Sequence, residues 1–290
     1  MCIKLYKMKV LPFKIPKPEL AAFIYQVDKE PSFYNKLHQH EEIQLSYILK
    51  GEGTLIVGDS INYYKPGDVL VIGSQVPHVF QSDQEQYQQS HMLSLFFTET
   101  SFGKTFFDLE ELMELQAFFN RAKQGFKVTS NQEKIIALFN HIETASKLER
   151  FIIIMQLLKL FAISEYKSLS SFIYEKNYSV VEGERLRDVF DYTMNNYHQD
   201  ITLEAVAYVA NMTKNAFCKY FKKYTNKTYG AFLNELRIEH ACKLILSPKN
   251  HTISNVAYKV GFNNISNFNR QFKKVKHQTP LNFKNENFKK

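Results

Sequence analysis

Residues 202–223 read TLEAVAYVANMTKNAFCKYFKK, and residues 252–274 read TISNVAYKVGFNNISNFNRQFKK. Thr202, Leu203, Val206, Ala207 and Tyr208 recur fifty positions later as Thr252, Ile253, Val256, Ala257 and Tyr258. Beyond a short break, Phe217, Phe221, Lys222 and Lys223 recur at a spacing of 51 as Phe268, Phe272, Lys273 and Lys274. An offset that holds and then lengthens by one marks a single structural unit present twice, with one extra residue in the turn of the second copy.

Each copy reads as two short helices meeting over a tight turn. In the first, Thr202 is an N-cap, Leu203, Val206 and Ala207 form a buried face, and Asn211 tolerates the left-handed conformation that ends a helix. In the second, Thr252 caps, Ile253, Val256 and Ala257 pack, and Gly261 takes the left-handed position at the lowest cost. The small Ala207 and Ala257 let two steeply crossed helices approach closely. The following helices bury Phe217 with Phe221 and Phe268 with Phe272, each pair at i and i+4, and turn polar and basic groups outward. These are the properties of a helix-turn-helix. The copies span about 202–223 and 253–275. Between them, about 229–246 reads as one helix through Phe232, Leu233, Leu236, Ile238, Ala241, Leu244 and Ile245. At 1.5 Å per residue it would be roughly 27 Å long, a rod able to set two recognition helices about one DNA turn (~34 Å) apart.

Outward from the repeat, the charge is uneven. Residues 185–290 hold 18 Lys and Arg against 7 Asp and Glu, and residues 1–184 hold 19 against 22, within a net charge of +8. A basic field confined to one end is expected where one domain meets a polyanion. Cys2, Cys218 and Cys242 are too few and too scattered for a disulfide framework or a zinc cluster. The most apolar run, Phe151 to Ile163, is shorter than the ~20 residues a bilayer requires and contains Lys159. The opening MCIKLYKMKVLPF carries no apolar stretch of signal-peptide length, so no membrane is expected as a partner and the cytoplasm is the expected compartment.

The N-terminal half has a different period. Residues 1–20, with Pro12, Pro16 and Pro18, form an extended arm. Over about 21–100, short runs such as Gln44 to Leu49, Thr54 to Val57 and Val69 to Ile72 alternate with Gly51, Gly53, Gly58, Gly67 and Gly73, the punctuation of a small β-barrel or sandwich. Over 101–184 the period becomes helical. One helix runs from Leu109 to Phe119 behind Asp108 as N-cap, a second over about 131–147 and a third over about 148–167. The third is apolar around nearly its whole circumference, which requires burial in the chain or pairing with a second subunit. A polar linker follows over 165–184, and a further helix opens at about Arg185. The fold class is therefore α+β and multidomain. A β-barrel is followed by a helical, dimerising segment, and residues 185–290 form an all-α domain of two helix-turn-helix units joined by a long helix.

The run from Ile201 to Phe283 resembles the DNA-binding domain of AraC/XylS regulators. It carries Arg237-Ile238-Glu239 with Ala241, Ile253 to Ala257, Gly261-Phe262, Phe268, Phe272-Lys273-Lys274 and Thr279-Pro280. It departs from that pattern at Asn226 and His277, where the family usually has glycine after each recognition helix. The resemblance implies double-stranded DNA as partner. It puts Thr213, Lys214, Asn215, Cys218 and Lys219, and Asn264, Ile265, Ser266, Asn269 and Arg270, on the DNA side. Arg270 is the strongest base reader, since its planar fork matches guanine O6 and N7, while Lys219 can reach a base or a phosphate. Lys222, Lys223, Lys273 and Lys274 divide evenly between phosphate contact and solvation.

His38-Gln39-His40, Gly51-Glu52-Gly53, Pro66-Gly67-Asp68 and Pro77-His78 resemble the two motifs of the cupin barrel, a common sensor in AraC-type regulators. Three readings stand for the histidines. His38, His40, Gln44 and His78 line a small-ligand pocket; or His38, His40 and His78 hold Zn, Fe or Mn; or the imidazoles are satisfied within the barrel. Gln44 stands where metal-binding cupins carry Glu, and a neutral amide there argues against a divalent metal, so no cofactor is expected. The resemblance implies a small-molecule effector, a homodimer, activation of transcription with RNA polymerase as a further partner, and no catalysis. The alternative is a cupin enzyme, a dioxygenase or sugar isomerase, with an accessory DNA-binding domain.

Overall fold

The computed structural model describes residue 15 and residues 21–83, 88–173, 180–247 and 251–288. The chain divides into two compact units, residues 1–183 and residues 184–290. Of the N-terminal arm only Ile15 is described; the rest of that expectation lies outside the described residues.

The first unit begins with β1 (Ile24–Glu30), β2 (Ile43–Lys50), β3 (Gly53–Val57), β4 (Ser60–Tyr64), β5 (Val69–Ile72), β6 (His78–Ser82) and β7 (Ser90–Phe97). Helix α1 (Gln116–Ala122), strand β8 (Phe126–Val128), helices α2 (Gln132–Ile142) and α3 (Lys147–Ile163), and strand β9 (Tyr166–Ser168) follow. One sheet runs in the order β1-β7-β2-β5-β8-β9 and the other β4-β3-β6. Strand β5 shows why its sequence, VLVI, is apolar without interruption. Leu70 and Ile72 face the smaller sheet among Ile48, Leu55, Val57 and Met92. Val69 and Val71 face the other way, among Phe118, Phe126, Ile154 and Phe161. A strand covered on both faces has no position left for a polar residue.

That second, outer layer bears on three expectations. The barrel does not close at residue 100, because β8 pairs with β5 and β9 with β8. Helix α3 buries Ile153, Ile154, Leu157, Leu158, Phe161 and Ala162 in this chain's own core, which uses most of its apolar circumference; Leu148, Ile152 and Ile163 are exposed. The polar stretch read as a linker from 165 starts as β9, and Asp59 then anchors Ser170 and Ser171 by accepting hydrogen bonds from both. Residues 174–179 of that linker lie outside the described residues.

The helix expected from Leu109 is also broken. Leu109 is extended (φ −61°, ψ 140°) between two short 3-10 turns, Asp108 makes no side-chain cap, and the α-helix starts only at Gln116. Phe107 sits edge-on to Phe119 at 4.8 Å and to Phe102 at 5.7 Å, so ring packing rather than the helical ladder directs this stretch.

Helix α4 (Val180–Asn196) leads into the second unit, opening five residues before the expected Arg185. There follow α5 (Leu203–Val209), α6 (Lys214–Thr225), α7 (Tyr229–Leu246), α8 (Ile253–Lys259), α9 (Ile265–Lys276) and α10 (Pro280–Phe288). Thr202, Thr213, Thr228 and Thr252 each accept a backbone N–H as N-cap. The two copies superpose in their hydrogen bonds. Met212 N donates to Ala207 O at 2.9 Å and Asn211 N to Tyr208 O at 2.9 Å; Phe262 N donates to Ala257 O and Gly261 N to Tyr258 O, both at 3.0 Å. Each is a Schellman closure about a left-handed residue, Asn211 (φ 52°) and Gly261 (φ 89°). Asn263 is the added residue of the second turn, which then caps with Asn264 where the first caps with Thr213. Both recognition helices end left-handed, at Asn226 (φ 55°) and His277 (φ 58°). Among the described residues no helix is long and apolar enough to cross a membrane.

Candidate nucleic-acid interface and ligand cavity

Helix α6 buries Phe217, Tyr220, Phe221, Tyr224 and Thr225, so Lys214, Asn215, Cys218, Lys219, Lys222 and Lys223 occupy its exposed side with the cap Thr213. Helix α9 buries Phe268 and Phe272 and exposes Ser266, Asn269, Arg270, Lys273 and Lys274 with the cap Asn264. Both helices thus present a polar and basic face, and most of the expected DNA-side residues lie on it. Ile265 is the exception. It is half-buried against the apolar core of the second copy, because the cap at Asn264 sets the phase of α9 and turns position 265 inward.

Several of these side chains already have partners. The Thr213 hydroxyl accepts from Ala216 N, and Asn264 Oδ1 accepts from Ser266 N and Asn267 N, so their oxygens serve the helix ends. Lys214 Nζ donates to Glu204 at 2.7 Å, a fully exposed pair of small worth. Lys223 Nζ lies 2.9 Å from the Tyr224 hydroxyl. Arg270 Nη2 donates to Asn267 Oδ1 at 2.9 Å, which holds the guanidinium along the helix surface. Sequence reasoning passed over Asn267; its i, i+3 spacing from Arg270 was the available signal.

Two charged groups of α7 hold its neighbours in place. Lys276 Nζ bonds both carboxylate oxygens of Glu239 at 2.7 Å. Buried Arg237 donates from Nε to Tyr197 O at 2.8 Å and from Nη2 to Gln199 O at 2.7 Å, with its guanidinium over the Phe262 ring at 5.6 Å. One side chain thereby ties the entrance of the first copy to the turn of the second.

The first unit contains a cavity of about 290 Å³. His38, His40 and His78 line one side and offer nitrogens that all lie within 4.8 Å of one another. Mutual backbone bonds between His38 and His78, at 3.0 and 2.8 Å, fix two of them. Each ring donates from Nδ1 to a backbone carbonyl: His38 to Lys36 (2.9 Å), His40 to Glu42 (2.8 Å) and His78 to Val76 (2.8 Å). A carbonyl can only accept, so Nδ1 of His78 carries the hydrogen and its Nε2 the lone pair. Burial lowers the affinity of all three for protons, with His40 adding to the effect on His38, which falls to about 4, and both neighbours adding to the effect on His78. His78 Nε2 is buried with no hydrogen-bond partner. Gln44 Oε1 lies 3.3 Å from His40 Nε2, and its amide nitrogen donates to Ser46. The set can accept hydrogen bonds, or hold a divalent cation through three neutral imidazoles. Gln26, Asp28 and Glu30 on β1 line the cavity as well, with Ile15. Sequence reasoning did not single them out; their spacing of two along one strand was the signal.

A helix-turn-helix domain model matches residues 206–286 and a cupin domain model matches residues 26–93. The chain carries an AraC-type helix-turn-helix domain and a cupin domain. The AraC-type match covers both helix pairs and the rod between them, and the cupin match covers the strands around the histidine cluster. An uncharacterised HTH-type transcriptional regulator of Staphylococcus aureus (strain MSSA476) is 22% identical over 260 residues, covering 84% of this chain and 31% of that protein. The chain thus spans about a third of the length of the staphylococcal relatives it matches. The uncharacterised HTH-type transcriptional regulator YdeC of Bacillus subtilis (strain 168) is 25% identical over 279 residues, 92% of each protein. Among solved structures, an apo ToxT variant from Vibrio cholerae aligns over 91% of this chain and 97% of its own, at 14% identity and a TM-score of 0.37.

Proposed function

We propose that the protein is a sequence-specific, DNA-binding transcription regulator whose cupin domain takes a small molecule. The observation that carries this reading is the duplicated, identically closed helix pair, in which α6 and α9 each bury phenylalanines and turn a polar and basic face outward. Arg270 and Lys219 read base edges, while Asn215, Cys218, Ser266 and Asn269 complete the two surfaces and Lys222, Lys273 and Lys274 meet phosphates. The similarity to proteins named HTH-type transcriptional regulators supports it. Selection of bound duplexes from a random pool by the full chain is expected to enrich one motif in two parts, about ten base pairs between centres. Recovery of no motif would overturn the reading.

One observation favours a second reading, a metal-dependent cupin enzyme. His38, His40 and His78 present anchored, neutral imidazoles around an orphaned Nε2, an arrangement that fits a divalent ion such as zinc or iron. Such an ion would supply Lewis acidity to a bound substrate, while Gln44 offers a neutral oxygen where a carboxylate would add charge. Metal at one equivalent per chain together with substrate turnover would establish this reading. Metal-free protein that retains fold and DNA binding would exclude it.

A further inference from the structure

The lining of the cupin cavity is one-sided in its chemistry. Strand β1 points Gln26, Asp28 and Glu30 into it at successive period-two positions, while Val27 and Lys29 are exposed on the opposite face. The Asp28 carboxylate is half-buried and accepts a hydrogen bond from the Gln26 amide at 2.6 Å. Glu30 stands exposed at the rim. Across from this strand lie the three imidazoles, and His78, only 1% exposed, has no hydrogen-bond partner for its Nε2. Among the described residues no lysine or arginine lines the cavity. Most of the remaining wall is apolar or aromatic, with Phe33, Tyr34, Phe80, Met92 and Phe96, and Ser32 and Gln44 are its other polar side chains.

We infer that the cavity takes an organic cation, a small molecule with a protonated amine on an apolar or aromatic body. The inference rests on the reading of the cupin domain as the ligand-binding part of the protein. An ammonium group offers three hydrogen-bond donors and no acceptor, the complement of the unpartnered His78 Nε2 and a carboxylate. Its charge compensates Asp28, which burial, reinforced by Glu30, holds above the usual carboxylate range. Phenylalanine faces attract a cation as well as an apolar body. A carboxylate or phosphate ligand would instead be buried beside like charge with no cation among the described lining residues to meet it, which is strongly disfavoured. A cavity of about 290 Å³ accommodates one such small molecule.

Three probes of one shape test this on the full chain: phenethylammonium, phenethyl alcohol and phenylacetate, titrated calorimetrically in the absence of DNA. The ammonium is expected to bind about ten-fold more tightly than the alcohol, as a charged hydrogen bond provides, and phenylacetate not measurably. Asp28→Asn, of the same shape, should abolish the difference between ammonium and alcohol, with the thermal midpoint read alongside as the check on folding. Phenylacetate binding as tightly as the ammonium would overturn the inference. So would retention of the preference in Asp28→Asn, a lack of binding by any probe at millimolar concentration, or one tightly held zinc per chain that excludes the ammonium. The titration is made without DNA, so failure of the chain to select a DNA motif would refute the regulator reading while leaving the ligand ranking to be judged on its own.

Discussion

Position 261 separates two reasons for a glycine. Its counterpart in the first copy is Asn211, at φ 52°, so an asparagine tolerates the left-handed turn that both copies share. At Gly261 a Cβ would also stand 2.7 Å from Tyr197 O and 3.0 Å from Arg237 Nε and Nη2. These atoms belong to the bonds by which Arg237 holds the two copies together, 2.8 Å to Tyr197 O and 2.7 Å to Gln199 O. Gly261→Asn therefore meets the conformational demand and violates the spatial one. A hydrogen bond from a buried cation is worth about 1.5–3 kcal/mol, so displacing one or both sets a cost of about 2–4 kcal/mol. Gly261→Ala should add about 1 kcal/mol for the left-handed backbone. Urea unfolding followed by far-ultraviolet circular dichroism gives both values, with Asn211→Gly as a control expected to shift stability by less than about 1 kcal/mol. If Gly261→Asn stayed within about 0.5 kcal/mol of the parent, conformation alone would account for the glycine and the Arg237 clamp would be idle.

Two further outcomes follow from buried polar groups. Burial pushes the His38 imidazole down to about 4 from its usual value near 6.5, and His40 and His78 shift in the same direction. The unfolded chain therefore takes up protons first. The cupin domain keeps its full stability above about pH 6.5 and loses it as pH falls toward 4, by about 3 kcal/mol from His38 alone. A urea midpoint that did not move between pH 7 and pH 5 would show that the imidazoles titrate normally. Asp59 accepts from Ser60, Ser170 and Ser171, so Asp59→Asn should cost about 1–3 kcal/mol and speed amide exchange at residues 169–172. Unchanged exchange there would mean that other contacts hold the segment.

The repeated unit was legible because its chemistry recurs at fixed spacing. Threonine caps, a small alanine at the crossing and a phenylalanine pair are each required by local geometry, and the Schellman closures at Asn211 and Gly261 are the physical counterpart of that spacing. The first unit was harder to read, because its assembly depends on contacts far apart in sequence. Strands β8 and β9 have three residues each, too few to show a period, and acquire their identity only by pairing onto β5. Helix α3 is apolar nearly all round because it fills a layer behind the sheet, a pattern that sequence alone shares with a subunit interface. The histidine cluster was visible from its motifs, yet the acidic wall opposite was not. Gln26, Asp28 and Glu30 alternate as an ordinary solvated strand edge would, and only barrel closure turns that edge inward. The half-burial of Ile265 was not legible, because the helical phase of α9 follows from the cap at Asn264.

The most direct test of the account is a hydroxyl-radical footprint of the full chain on a selected duplex, compared among the parent, Lys219→Ala and Arg270→Ala. The account predicts two protected patches on one face of the DNA, about one helical turn apart. It also predicts that Arg270→Ala loses about 1–3 kcal/mol and its base preference in one patch, while Lys219→Ala weakens the other. A single diffuse footprint, equal on every duplex and lost uniformly with salt for all three proteins, would contradict it.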